Sequence, residues 1–128
     1  MAEQPAPQTA HLLAYGHLRQ GGEAQHLMAQ HGARLVAAGL HLPGYRLHDS
    51  RQGHPFACAA TSQDAIIVDL FAVPQAAWPT LDAYEEVESG LYYRQALRFQ
   101  GRRCFIYLTN QDLRPYPIIA GGDWLARS

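Results

Sequence analysis

Four carboxylates stand within seven residues, Asp82, Glu85, Glu86 and Glu88, between a short helical pattern and the strand-like run 92–99. A carboxyl group held against apolar side chains has its charged form disfavoured, and it can then exchange a proton close to neutrality. This segment is therefore the first place to look for acid–base chemistry. Helical spacing puts Leu81, Tyr84 and Glu85 on adjacent turns, with Glu85 beside the apolar face and Asp82 and Glu86 on the next row. Asp82, Glu86 and Glu88 read as solvated helix surface. Glu85, with Leu81 and Tyr84 expected to pack inward, is the candidate proton-transfer group.

A second cluster is the loop Tyr15-Gly16-His17-Leu18-Arg19-Gln20-Gly21-Gly22, which follows the apolar run 11–14. Its glycines let the backbone turn tightly, so the N–H groups of Gly16, His17 and Leu18 can face a carboxylate or amide oxygen. A plain tight connection is the other reading. The loop has neither the Walker spacing nor a Gly-x-Gly-x-x-Gly run, which argues against nucleotide binding. Tyr15, Tyr92 and Tyr93 offer hydroxyl groups to a polar substrate, or pack half-buried with those hydroxyls satisfied internally.

Other chemistries find less support. Of the seven histidines, His26 and His31 point to different helix faces, while His11, His17, His41, His48 and His54 form no short ligand pair, so no metal is expected. Ser50, Ser62, Ser89 and Ser128 lack the Gly-x-Ser-x-Gly context of an activated hydroxyl. Cys58 and Cys104 each lie in an apolar run and read as buried thiols rather than a disulfide or nucleophile. Asp69 interrupts the otherwise apolar run 65–73, where an acid needs a partner; a salt-bridged or edge-facing structural role outranks a site role.

These groups must be positioned by a small framework. Residues 11–14 read as a short interior strand, 23–31 as a helix stopped by Gly32, 33–42 as a strand, and 45–47 as its return after Pro43-Gly44. Strands follow at 56–61 and 65–73. A brief turn through Ala77 leads to a helix over 79–86, because Pro79 suits a helix start. A hairpin joins 92–99 to 104–109 around Gln100-Gly101-Arg102-Arg103. The tail 110–128 is expected as an ordered wrap, since Ile118, Ile119, Trp124 and Leu125 would otherwise be exposed. This order contains no repeated strand-helix unit, so the expected fold is α+β: a compact mixed β-barrel or twisted sheet with two main helices.

At 128 residues the chain suffices for one core, with residues 1–10 as a disordered lead-in and 11–128 as a single domain. Ten basic side chains, all Arg, against eleven acidic ones give a formal charge of -1, and no basic stripe suggests nucleic acid. No signal peptide or membrane-spanning stretch is recognised, so a cytoplasmic location and no membrane partner are expected. Leu40, Leu42 and Trp78 read either as core or as a dimer contact, which leaves monomer and homodimer both open.

Taken together, Tyr15-Gly16-His17-Leu18-Arg19, Pro43-Gly44-Tyr45-Arg46-Leu47, Leu81-Asp82-Ala83-Tyr84-Glu85 with Leu91-Tyr92-Tyr93-Arg94, and Gly121-Gly122-Asp123-Trp124-Leu125 resemble the gamma-glutamylcyclotransferase-like family over nearly all of the chain after Ala10. The resemblance implies a barrel-like mixed fold with a cavity at one end and a cofactor-independent enzyme of lyase or acyltransferase type. Its substrate would be a small gamma-glutamyl amine or amide, whose α-amino group attacks the side-chain carbonyl and releases 5-oxoproline and a free amine. By the same resemblance Glu85 is the catalytic residue, Tyr15, Gly16, His17 and Leu18 bind the glutamyl end, and Tyr92 or Tyr93 supplies the tyrosine that follows. Three departures stand out: His17 replaces a Ser or Thr, Val68 a strand glycine, and Glu86 the glycine after the catalytic Glu. They keep two alternatives open, a non-catalytic small-molecule binding module on this fold, and a hydrolase or acyltransferase acting on a related amide.

Overall fold

The strand-forming runs assemble as a mixed sheet around the first of them. The computed structural model describes residues 10–127. Strand β1 (Ala10–Ala14) lies at the centre, antiparallel to β5 (Ala65–Val73) on one side and parallel to β7 (Arg102–Leu108) on the other. Outside β5 runs β2 (Arg34–Pro43), and outside β7 runs β6 (Tyr93–Phe99), which gives the order β2-β5-β1-β7-β6. A separate antiparallel pair, β3 (Tyr45–Asp49) and β4 (Pro55–Ala59), has Leu47 opposite Ala57. Two short helices complete the fold, α1 (Gln25–Gln30) and α2 (Trp78–Tyr84). The class is thus α+β with two main helices, and the five-stranded sheet keeps two edges, β2 and β6, rather than closing into one hydrogen-bonded barrel.

Period-two alternation explains how one strand serves two cores. Leu12 and Ala14 of β1 join a cluster with Phe71, Trp78, Leu81 and Tyr107. Leu13 and the following Tyr15 join a second cluster with Ile66, Val68, Ile106 and Trp124 on the opposite face. Burying an apolar strand on both faces requires the near-continuous hydrophobic run that β5 shows. Asp69, its one acid, is fully buried and accepts backbone N–H groups from Gln20 at 2.8 Å and Gly39 at 2.9 Å, with Arg19 Nε 3.4 Å away. Its role is structural, as the sequence favoured.

Several expectations need correction. Strand β1 starts at Ala10, inside the expected lead-in; the expectation of disorder otherwise falls on residues 1–9, outside the described residues. Helix α1 is shorter than 23–31, and α2 ends at Tyr84 instead of running to Glu86. The hairpin turn is only Gln100-Gly101, at φ 52° and 74°, the two positive values that a tight type I′ connection demands. Arg102 and Arg103 therefore belong to β7. Leu42 and Trp78 are core residues. In the tail Ile119 and Trp124 are buried, but Ile118 and Leu125 stay exposed, as does Tyr84 on α2. Among the described residues no helix is long and apolar enough to cross a membrane.

Candidate active site

The end of β1, the loop after it and the end of α2 enclose a cavity of about 240 Å³. Tyr15, Gly16, His17 and Leu18 form one wall, Tyr84, Glu85 and Glu86 another, and His54, Pro55, Tyr92 and Tyr107 complete it. Of the residues singled out in the sequence, Glu85, Tyr15, Gly16, His17, Leu18 and Tyr92 are thereby brought together. Tyr93 is not: one residue along the strand from Tyr92, it packs against the second cluster on the other face. Val68 is likewise buried in that second cluster and does not narrow the cavity.

Glu85 owes its place to the way α2 ends. Its N–H still bonds to Leu81 O, while Glu86 N bonds to Ala83 O at 3.1 Å and Val87 N to Asp82 O at 3.0 Å. This pair of bonds closes a helix through a left-handed residue, and Glu86 takes that position at φ 53°. Glu85 is thus the last half-helical residue, set at the cavity wall just before the chain turns away. Part of its surface remains accessible there, yet protein surrounds the carboxyl closely. Burial is the main cause, and the neighbouring Glu86 charge the lesser, that raise its pKa to about 8.

Opposite lies the loop. Arg19 N bonds to Gly16 O at 3.1 Å and Ala24 N to His17 O at 2.9 Å, so the carbonyls are occupied. The N–H groups of Gly16, His17 and Leu18 meet no protein acceptor among the described residues. A Cβ on Gly16 would come within 3.1 Å of Pro55 Cγ, which explains why a residue without a side chain lets the two walls approach. Leu18 points its side chain into the core, so only its backbone can serve a ligand. His17 bridges two loops: Nε2 bonds to Gly53 O, Nδ1 lies 3.6 Å from Glu23, and the ring meets Trp124 edge-on.

The tyrosines are less available than their types suggested. Tyr15 donates to the carbonyl of Tyr107, Tyr92 donates to Pro55 O at 2.6 Å, and Tyr107 donates to Asp82 Oδ1 at 2.7 Å. Burial is the main cause that holds all three phenols well above the usual tyrosine range, joined at Tyr107 by the hydrogen bond to Asp82 and at Tyr92 by the Glu85 charge, so they stay neutral. Sequence reasoning missed Tyr107 and His54 as cavity residues. Tyr107 carried no local signal; His54 stood beside Pro55 in an apparent loop, and only the pairing of β3 with β4 turns it inward.

Among the described residues no group of three His, Cys, Asp or Glu side chains is arranged to hold a metal ion. Cys58 and Cys104 are free thiols, and burial pushes both upward in pKa, away from nucleophilic thiolates.

The chain resembles several solved structures. Uncharacterized protein PH0828 from Pyrococcus horikoshii is 19% identical, with 90% of this chain and 89% of that one covered at a TM-score of 0.73. Protein c4763 of uropathogenic E. coli is 21% identical over 91% and 93%, TM-score 0.74. An AIG2-like protein from Mus musculus is 22% identical over 94% and 85%, TM-score 0.72. At such identities the likeness concerns the fold. No curated protein matches the chain. The model of the family described as "Gamma-glutamyl cyclotransferase, AIG2-like" matches residues 12–126, which takes in the loop after β1, Glu85 and the Trp124 segment alike, and the chain belongs to that family.

Proposed function

We propose that the protein is a cofactor-independent cyclotransferase that cleaves a small gamma-glutamyl amine or amide, releasing 5-oxoproline and the free amine. One observation carries this reading: a carboxyl group with a pKa near 8 lines a cavity whose facing wall offers three unengaged backbone N–H groups.

The chemistry asks for what these groups can supply. The substrate's α-ammonium must lose a proton before its nitrogen attacks the γ-carbonyl, and the departing nitrogen must gain one. Glu85 accepts the first proton as carboxylate and returns it as acid, so the step needs no second molecule. A peptide α-amino group titrates at about 7.7–8.0 and one beside a free carboxylate higher, so lifting Glu85 to about 8 narrows the gap that the proton must cross. The N–H groups of Gly16, His17 and Leu18 suit the substrate carboxylate or the oxyanion that develops on the attacked carbonyl. Cavity walls that keep the chain curled hold nitrogen and carbonyl in contact, the usual source of intramolecular advantage.

Because the carboxylate form is the base, kcat/KM is expected to rise with pH until about 8, where Glu85 is half ionised. Incubating the full chain with a panel of gamma-glutamyl amines and amides, and assaying 5-oxoproline by mass, tests the reading. Glu85→Gln should lower the rate by about 10²–10⁴. Release of glutamate instead of 5-oxoproline would indicate hydrolysis, and no release of either product by the native protein would refute the proposal.

A further inference from the structure

The phenolic protons of Tyr15, Tyr92 and Tyr107 are already directed at other protein groups, and in the loop after β1 the carbonyls of Gly16 and His17 are engaged. A substrate nitrogen carrying N–H bonds needs acceptors as well, and Glu85 is at most half ionised below its pKa of about 8. Beside the carboxylate of Glu86, on the exposed rim, the wall supplies an imidazole. His54 lines the cavity with its ring edge-on to Phe56 and Nδ1 3.0 Å from Tyr92 Oη.

The tautomer of that ring follows from counting protons. Tyr92 Oη lies 2.6 Å from the carbonyl oxygen of Pro55. Two oxygens at that distance need a proton between them, and a carbonyl has none, so the phenol proton points at Pro55. The contact between Tyr92 and His54 must then be made by a proton on Nδ1. When the ring carries a single proton, that proton sits on Nδ1 and Nε2 is the bare, accepting nitrogen, and Nε2 has no protein partner among the described residues. The short segment is stiffened around it: Ser50 Oγ donates to the His54 carbonyl at 2.6 Å, Gly53 O is bonded by His17, and Pro55 follows directly.

We propose that His54 is a substrate-positioning residue whose Nε2 accepts an N–H from the α-ammonium of the glutamyl group, holding the attacking nitrogen in the cavity. Pro55, Tyr92 and His54 form the relay that keeps Nε2 free for this purpose. The identity of that nitrogen rests on the cyclotransferase reading; the tautomer and the accepting role of the ring do not.

Long-range proton–nitrogen correlation spectra of the ¹⁵N-labelled full chain read both. In the free protein His54 should show a protonated Nδ1 and a bare Nε2, and the opposite tautomer would overturn the proposal. Addition of glutamate should move the Nε2 resonance toward that of a hydrogen-bonded nitrogen. If the backbone amides of Gly16, His17 and Leu18 respond while Nε2 does not, His54 is no acceptor. If neither responds, the glutamyl site itself is refuted, a distinct result that removes the substrate role of His54 with it. In kinetics, His54→Asn keeps an amide donor toward Tyr92 but lacks any atom at Nε2. It should raise KM by about ten- to hundredfold, the range for a hydrogen bond to a charged group, with kcat within about threefold. Glu85→Gln, in contrast, lowers kcat. An unchanged KM in folded His54→Asn would overturn the proposal, and should that variant fail to fold, the spectra of the native protein decide.

Discussion

A carboxyl group whose pKa is lifted to about 8 by burial makes opposite demands on activity and stability. In the unfolded chain Glu85 ionises near its ordinary value of 4.5, while in the folded protein it keeps its proton until about 8. Between those values the folded state binds more protons than the unfolded one, so stability falls as pH rises. Glu85→Gln removes that penalty. It is expected to leave stability unchanged near pH 4 and to raise it by ~2 kcal/mol at pH 8, a figure set below the full linkage value because part of the side chain meets solvent. Urea unfolding of both proteins across this range checks it: parallel pH dependences would mean that the carboxyl is not desolvated as described. The same substitution that stabilises the fold should abolish most of the turnover. A residue that costs stability where it stands is understandable when its proton affinity is what the site uses.

The element that sets this environment is the last turn of α2, and only part of it was legible in the sequence. Pro79 and the Leu81–Glu85 spacing marked the helix and the inward side of Leu81 and Glu85, because proline placement and helical period are local properties, whereas Tyr84, expected to pack inward with them, stays exposed. The stop was not legible, since Glu86 occupies a left-handed position that normally announces itself with glycine. Asp82 was equally opaque. It read as solvated surface, yet it accepts from Tyr107 and lies 3.6 Å from Arg94, partners supplied by strands that no local pattern connects to it. Replacing Glu86 with Gly should relieve the left-handed strain against a smaller entropic cost, a net gain of ~0.5–1 kcal/mol in chemical unfolding. It also removes the like charge beside Glu85. The pKa of Glu85, followed by carboxyl NMR, is expected to fall from about 8 yet stay above 4.5, because burial is the larger cause. A pKa that dropped to the ordinary value would make Glu86, not burial, the controlling influence.

At the scale of the whole molecule, the loop beside the cavity is held from the far end of the chain. Buried Arg19 lies 2.8 Å from Asp123 through Nη1 and 3.4 Å from Asp69 through Nε, so β5 and the tail grip the loop between them. Asp123 also accepts the N–H groups of Leu125 and Ala126, starting the single turn Trp124–Ala126. Gly122 precedes it at φ 65°, where a Cβ would lie 2.3 Å from Ala65 O, and this explains the glycine of the Gly121-Gly122-Asp123-Trp124 motif. The sequence showed that this motif and the Tyr15–Arg19 loop occur in one chain. Their direct connection was hidden because an ion pair between residues 104 positions apart leaves no trace in spacing. Removing one member of a buried charged group leaves the others under-compensated. Asp123→Ala is therefore expected to destabilise by about 2–4 kcal/mol, the loss of the two backbone acceptor contacts included. Asp112→Ala, which breaks a solvent-screened exposed pair with Arg114, should leave the unfolding midpoint where it is. Hydrogen exchange adds the spatial test. In Asp123→Ala the amides of Arg19, Gln20 and Ala24, each bonded within or from this loop, should exchange faster relative to those of β7, whose strand lies outside the network. Equal acceleration everywhere would mean that Asp123 supports the fold in general and does not position the cavity wall.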